Sequence, residues 1–391
     1  MINEVLVALN WLLFSATAIP LAVFIFETAF GFARSLSCPL SGETPTTIVL
    51  IPAHNEEAII GETLQRLSQA LPDRTSILVV ADNCSDRTAA IVRELGFAVL
   101  ERQDSERRGK GYALAHGRDH LRASPPDCVI VFDADCQSDK QSFSDLARYC
   151  CLYMRPTQAR YTFEANRDAS PKVQISNFAF WLKNVVRQRG AKRLGGPAIL
   201  TGTGMAFPWP VFEQTALATG NIVEDLALCV DLTRSGCGPV FLEQALVTSE
   251  AASEGATLEQ RARWEHGFLS TTGQHGLPTI WHGLLSMNWQ AVWLGLHLLV
   301  PPLALFVFVS MACLGLLVGT GMITSDWHPA IFLSVLLITA FGFILANWVV
   351  EGRAWLRPGA LFMLPLYLIW KTPLYLRFLA GRKSGWTRTE R

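Results

Sequence analysis

Cys128-Val129-Ile130-Val131-Phe132-Asp133-Ala134-Asp135 is an unbroken apolar run that ends in two carboxylates two residues apart. A short strand apolar at every position has both faces buried, as in a parallel sheet covered by helices on each side. The same pattern repeats upstream. Thr47–Ile51, Ser76–Ala81 and Ala98–Glu101 read as strands, and helical patterns follow over Glu57–Leu71, Asp86–Leu95 and Gly111–Leu121. This alternation predicts a doubly wound, Rossmann-like α/β sheet. Ligands of such sheets bind beyond the carboxyl ends of the strands, so the segments after each strand are where chemistry is expected.

Those segments are polar. The first strand runs into Pro52-Ala53-His54-Asn55-Glu56-Glu57, the second into Asp82-Asn83-Cys84-Ser85-Asp86, and the fourth into Asp133-Ala134-Asp135. Ser85 and Asp86 fit helix capping. Asp133 and Asp135 can both reach one divalent cation, as hard oxygen donors suited to Mg2+ or Mn2+. Such a pair is common by chance and is not decisive alone.

Outward from this sheet the composition changes. Of 391 residues 50% are hydrophobic and 17% charged, and the apolar excess sits at the two ends. Val5–Phe26 is long enough to cross a bilayer, and only Glu4 carries charge before it, which favours an anchor over a cleaved leader. Between Ala291 and Val350 the single Asp, Glu, Lys or Arg is Asp326. Two spans are expected there, Ala291–Val318 kinked at Pro301 and Pro302, and Ala330–Val350. Arg34, Arg353 and Arg357 flank the spans and place the middle of the chain in the cytoplasm of a multi-pass inner or plasma-membrane protein. Gly359–Trp370 is too short to span and precedes a basic tail, which predicts an interfacial helix, with a fourth span over Leu361–Leu379 as the alternative.

The expected organisation is an anchor over 1–34, a catalytic domain over 45–275, an interfacial segment over 276–290, two spans over 291–350, and an interfacial or spanning helix with a basic tail over 351–391. A formal net charge of zero lacks the basic footprint of nucleic-acid binding. The nine cysteines are an odd number with no metal-ligand spacing, which reads as reduced thiols in a cytosolic domain.

Taken together, the loops resemble glycosyltransferase family 2, whose members have the GT-A fold, over roughly Thr47–Gly267. The resemblance implies that Pro52, His54, Asn55 and Glu56 line a nucleoside pocket, with His54 where many members have Tyr, and that Asp82 bonds the base. It assigns Asp133 and Asp135 to metal and diphosphate. Glu224-Asp225 resembles the pair carrying the catalytic base. Gln260-Arg261-Ala262-Arg263-Trp264 matches the Gln-x-x-Arg-Trp motif of membrane-integrated synthases and ceramide-type glucosyltransferases, with Gln260, Arg263 and Trp264 serving diphosphate and acceptor. Arg108-Gly109-Lys110-Gly111 resembles the family's diphosphate turn and reads equally as a basic surface turn. Thr201-Gly202-Thr203-Gly204, with Thr203 and Gly204 facing the acceptor, has a plain turn as its alternative. The tail Trp386–Thr389 is similar in type to the gating segment of cellulose synthases.

What the resemblance implies is an inverting hexosyltransferase. It would move a sugar from a nucleotide-diphosphate donor, a UDP-sugar first, to a membrane-associated glycan, forming a β-linkage in cell-surface polysaccharide synthesis. Mg2+ or Mn2+ would be the cofactor, and membrane lipids and an export or synthase subunit the partners. The rivals are a single-sugar transferase acting on ceramide or polyprenyl phosphate, and a non-catalytic membrane scaffold.

Overall fold

A computed structural model of the chain describes residues 1–35, 40–218, 224–249 and 254–379. In chain order the elements are α1 (Ile2–Phe30), β1 (Thr47–Ala53), α2 (Ile60–Ala70), β2 (Thr75–Asp82), α3 (Thr88–Glu94), β3 (Ala98–Arg102), α4 (Lys110–Leu121), β4 (Cys128–Val131), β5 (Cys136–Ser138), α5 (Lys140–Tyr153), β6 (Thr157–Phe163) and α6 (Pro171–Trp181). A π-helical stretch, Leu182–Arg187, runs into α7 (Gln188–Arg193). Then come β7 (Met205–Pro208), α8 (Trp209–Gln214), α9 (Glu224–Arg234), β8 (Val240–Ser249), α10 (Glu254–Leu285), α11 (Trp289–Leu298), α12 (Leu303–Thr324), α13 (His328–Val350), α14 (Pro358–Leu361) and α15 (Leu364–Leu379).

Alternate residues of the same strands feed two separate cores. Val49, Ile51, Ile77, Val79 and Ile130 pack with Ile60, Leu64 and Leu67 of α2 and with α5. Leu50, Leu78, Val80, Val129 and Val131 pack on the other face, with α4, α8 and α9. Both faces of the strands therefore leave water, which is why no polar residue interrupts the runs. Ile60, Leu64 and Leu67 are spaced to form one helical stripe, and burying each such side chain contributes roughly 1.5–3 kcal/mol.

The eight strands lie in the order β3-β2-β1-β4-β7-β6-β8-β5. β3, β2, β1 and β4 are mutually parallel, as the alternating pattern predicts. Beyond β4 the sheet is mixed: β7 runs antiparallel to β4 and β6, β6 is parallel to β8, and β5 pairs antiparallel with β8. The parallel half sends the ends of β1, β2, β3 and β4 to one edge.

Among the described residues, three helices are long and apolar enough to cross a membrane: α1, α12 and α13. The first C-terminal span does not begin at Ala291. Pro301 and Pro302 break the helix rather than kink it, so Trp289–Leu298 is a separate helix and the span starts at Leu303. Two consecutive prolines remove two amide donors and exclude the preceding turn. Residues 276–285 finish α10, the only part of the expected interfacial segment that is helical before Asn288 caps α11. At 16 residues, α15 extends only about 24 Å. It docks on the sheet domain through Lys371 and Tyr375, which bond Glu265 of α10. The tail Trp386–Thr389 lies outside the described residues.

The long apolar helices are bolted to the sheet domain by buried charge. The Glu27 carboxylate of α1 accepts from Arg187 Nε at 2.6 Å and lies 2.6 Å from His297 Nδ1. Trp293 donates to it at 3.2 Å. Arg189, fully buried, donates to Glu243, Glu351 and the Gly31 carbonyl. The backbones meet closely, since a β-carbon at Gly190 would lie 1.9 Å from the Glu27 carbonyl oxygen, and only glycine fits there.

Candidate active site

The strand-end loops are tied to one another before they meet any ligand. Asn55, at φ 55°, accepts from the Ser85 amide at 2.7 Å. The Glu56 amide donates to Thr88 Oγ1 at 2.8 Å. Asp86 accepts from the Thr88 amide at 3.0 Å in a local turn ahead of α3, whose N-cap is Arg87 rather than the expected Ser85 or Asp86. His54 Nδ1 lies 2.7 Å from the Asp82 carbonyl oxygen, which fixes the imidazole plane. Arg102 stands directly opposite Asp82 in the β2–β3 register and donates to its carboxylate at 2.6 Å.

The Asp133–Asp135 turn follows β4. Thr63 Oγ1 donates to the Ala134 carbonyl at 2.6 Å, and the Asp133 amide donates to Thr203 Oγ1 at 3.1 Å. Ligand atoms of Asp133, Asp135 and Cys136 lie within 4.8 Å of one another. Cys136 is fully buried and does not line the cavity that Asp133 and Asp135 face, so the two carboxylates are the donors this turn offers there. Two hard oxygens converging on one point fit Mg2+ or Mn2+.

Lys110, at the start of α4, joins this turn to the far wall. Its ammonium bonds Asp133 and donates to the Gly202 carbonyl at 2.8 Å. Burial disfavours its charge, but Asp133 and then Glu224 outweigh that and hold its pKa above the ordinary lysine value. Gly202 has φ +85°, and a β-carbon there would lie 3.4 Å from Lys110 Nζ and 3.5 Å from Asp225 Oδ2. The lysine is thus flanked by the metal-type carboxylates on one side and by Asp225 on the other.

Glu224 and Asp225 open α9, where Asp225 accepts from the Leu226 amide at 2.8 Å. Burial and then the neighbouring Asp225 charge push Glu224 up to about 7. Burial also raises Asp225, opposed first by Lys110. Lys183, from the π-helical stretch, is pulled down to about 8 by burial, with Asp225 opposing. Its ammonium sits 5.0 Å over the Phe268 ring.

One cavity of about 1100 Å³ is lined by these groups. Pro52, His54, Glu56 and Asp82 line it at the strand ends, with Lys110, Asp133, Asp135, Glu224 and Asp225. Arg263 and Trp264 of α10 line it as well, Trp264 standing 5.9 Å from Phe180 and 6.4 Å from Phe163. The same cavity continues among the membrane helices, where Phe24, Leu303, Val307, Ile344 and Leu345 form its wall.

Several expected residues stand elsewhere. Asn55 does not line the cavity, because its left-handed backbone turns the amide toward Ser85. Thr203 and Gly204 lie behind the lining: Thr203 is fully buried, and the Gly204 carbonyl accepts from Ala159. Thr201 and Gly202 face the cavity instead. The Gln260 side chain lies outside the described residues. Three residues that the sequence pattern did not single out stand in or behind this cavity: Lys183 lines it, Arg102 bonds Asp82, and Gln158 bonds the Thr201–Gly204 loop. Gln158 bonds the Thr201 amide and the Thr203 carbonyl and so shapes the loop under Asp225. A polar residue within a strand pattern at that position was the available signal. Arg261, the unnamed position inside Gln260–Trp264, donates to Ser176 and Asn177 and stacks over Phe163, holding α10 against α6.

Residues 45–267 match the model of the glycosyltransferase-like family 2, and the chain belongs to that family. It is 38% identical over 108 residues to a probable glycosyltransferase, YdaM, of Bacillus subtilis, covering 26% of this chain and 25% of the relative. It is 31% identical over 250 residues to a beta-monoglucosyldiacylglycerol synthase of Synechocystis, covering 57% of this chain and 48% of the relative. The chain thus spans between a quarter and a half of the length of these curated relatives. Among solved structures it resembles a mannosyltransferase from Pyrobaculum calidifontis in complex with GDP-Man and Mn2+. There the TM-score is 0.56 and the identity 16%, over 98% of this chain and 100% of the other, a likeness of fold.

Proposed function

We propose that the chain transfers one sugar, with inversion, from a nucleotide-diphosphate donor to a hydroxyl of a membrane lipid, forming a β-linkage. The observation that carries this reading is the single cavity that joins the acid-rich strand ends to a wall of membrane helices. A growing glycan would need a wet, polar path. Here the far arm is apolar, and its residues Phe341 and Phe362 are 62% and 87% exposed on the outer surface of the helices. Lateral entry from the bilayer fits that surface, whereas a polysaccharide path does not. The name of the Synechocystis relative, a monoglucosyldiacylglycerol synthase, agrees in acceptor class.

At the donor end, His54 and Asp82 hold the base, and a UDP-sugar is the first donor to test. Asp133 and Asp135 would hold the divalent cation, which when bound neutralises charge on the departing diphosphate. Lys110 and Arg263 add fixed positive charge beside it. Asp225 takes the proton from the acceptor hydroxyl, and direct displacement with one base inverts the anomeric centre. Trp264 offers a flat apolar face to a sugar ring. The arginines that flank the apolar helices, Arg34, Arg353 and Arg357, support a cytoplasmic sheet domain.

The test is product analysis with radiolabelled UDP- and GDP-sugars and protein in proteoliposomes. A single lipid-extractable product, absent in Asp225→Asn, supports the reading. A ladder of water-soluble glycans would overturn the lipid acceptor, and wild-type turnover in Asp225→Asn would overturn the base.

A further inference from the structure

Strand β4 carries ligating side chains at both of its ends. Asp133 and Asp135 follow its last residue, and Cys128 is its first. At about 3.3 Å per residue the two ends lie roughly 16 Å apart, so Cys128 takes no part in the cavity chemistry. Helix α5 crosses β4 and brings Cys150 and Cys151, in its last turn, over Cys128. The three Sγ atoms lie within 4.8 Å of one another, and those of Cys128 and Cys150 are 3.9 Å apart. All three are free thiols.

The spacing selects among the uses three thiols can have. A disulfide brings its sulfurs to about 2.05 Å. Sulfurs that share a cation at about 2.3 Å stand roughly 3.8 Å apart in tetrahedral geometry, and slightly farther in a trigonal one. At 3.9 Å, where the Cys128 thiol bonds the Cys150 sulfur, the pair is already close enough to share one ion without moving apart. Cys128 and Cys150 are fully buried, while Cys151 is partly exposed and gives an entry path from solvent. The Asp127 carbonyl oxygen, 3.6 Å from Cys151 Sγ, completes the rim with an oxygen donor.

We infer that Cys128, Cys150 and Cys151 form a thiolate site for Zn2+ that clamps α5 to β4, separate from the oxygen-donor pair. Each thiol releases its proton to solvent as its sulfur binds the ion, and no electron transfer is involved. Donor softness keeps the two ends of the strand distinct: three sulfurs select a soft or borderline cation, and two carboxylates select Mg2+ or Mn2+. Structurally, the clamp holds the helix that faces the strand leading to Asp133.

The experiment uses the full chain, purified in detergent from zinc-supplemented cells and passed over a chelating resin, with metal content read by inductively coupled plasma mass spectrometry. Wild type is expected to retain roughly one zinc per chain, and Cys151→Ser and Cys150→Ser to lose at least about tenfold of it. Cys237→Ser, a half-buried thiol elsewhere, and Asp135→Ala should keep it. Titration with Cd2+ should give a thiolate charge-transfer band in the wild type that is missing in Cys151→Ser. Because a hydroxyl in the fully buried Cys150 position disfavours folding, the partly exposed Cys151 position carries the comparison, with circular dichroism as the fold control. Zinc-free wild type without a cadmium band overturns the site, as does zinc retention unchanged in folded Cys151→Ser.

Discussion

The two arms of the cavity differ in how they are made. The donor arm is assembled from loops that follow β1, β2 and β4, each side chain within a few residues of the strand that positions it. The proposed acceptor arm draws residues from α1, α12, α13 and the last helices, hundreds of positions apart in the chain. Polar groups in the first arm are cross-bonded, as Asn55 to Ser85, Asp82 to Arg102 and Lys110 to Asp133 show. Among the described residues, those that α1, α12 and α13 give the second arm are all apolar. On the proposed function, chemistry rests on electrostatics fixed in advance, while acceptor choice rests on a packed apolar volume.

Substitutions that separate the arms should differ in what they abolish. Asp225→Asn is expected to lower kcat by about 10²–10⁴-fold with donor affinity largely kept, measured by single-turnover kinetics beside donor binding. Near-normal turnover would dissolve the distinction between the arms. Asp135→Ala should weaken both Mn2+ and donor binding, by an order of about 10²-fold in kcat/KM, and make the residual rate insensitive to chelator. Continued chelator sensitivity would move the cation elsewhere.

On the acceptor side, Val307→Trp should fill the apolar arm. Its expected effect is about a tenfold loss of kcat/KM for long-chain lipid, with slow donor hydrolysis unchanged, because the substitution stays remote from the acids. Equal loss of both activities would show that the arms are not separable. The smallest effect expected is in pH dependence. Catalysis needs Asp225 ionised, and burial raises its pKa, so activity should fall on acidification above the ordinary aspartate range. The charge on Asp225 is part of what raises Glu224 to about 7, so Asp225 ionises first, beside a Glu224 that is still neutral. Glu224→Gln should therefore leave the acid limb essentially in place, read from kcat–pH profiles. A limb displaced by a full unit would mean that Glu224 is charged while Asp225 titrates.

How far the sequence carried follows the same division. The alternating runs around Thr47, Ser76 and Cys128 disclosed the parallel half of the sheet, because burial on both faces leaves a local apolar signature. They did not disclose β5–β8, whose pairing depends on a bulge at Ala159/Arg160 and on antiparallel partners distant in the chain. Asp133, Asp135, Lys110, Glu224, Asp225, Arg263 and Trp264 were legible as motifs, and all of them line one cavity. Thr203 and Gly204 were misplaced by one turn, since which residue of a glycine-rich loop faces inward is decided by bonds from Gln158 and Asp133.

By itself the sequence determined the α/β class, the apolar ends and the order of the acid motifs, all of which are written in neighbouring residues. Tertiary structure alone decided that the cavity opens among membrane helices, that Pro301 and Pro302 end a helix, and that Cys128 meets Cys150 and Cys151. Those outcomes depend on which surfaces pack together, and packing joins residues whose separation in the chain carries no pattern to read.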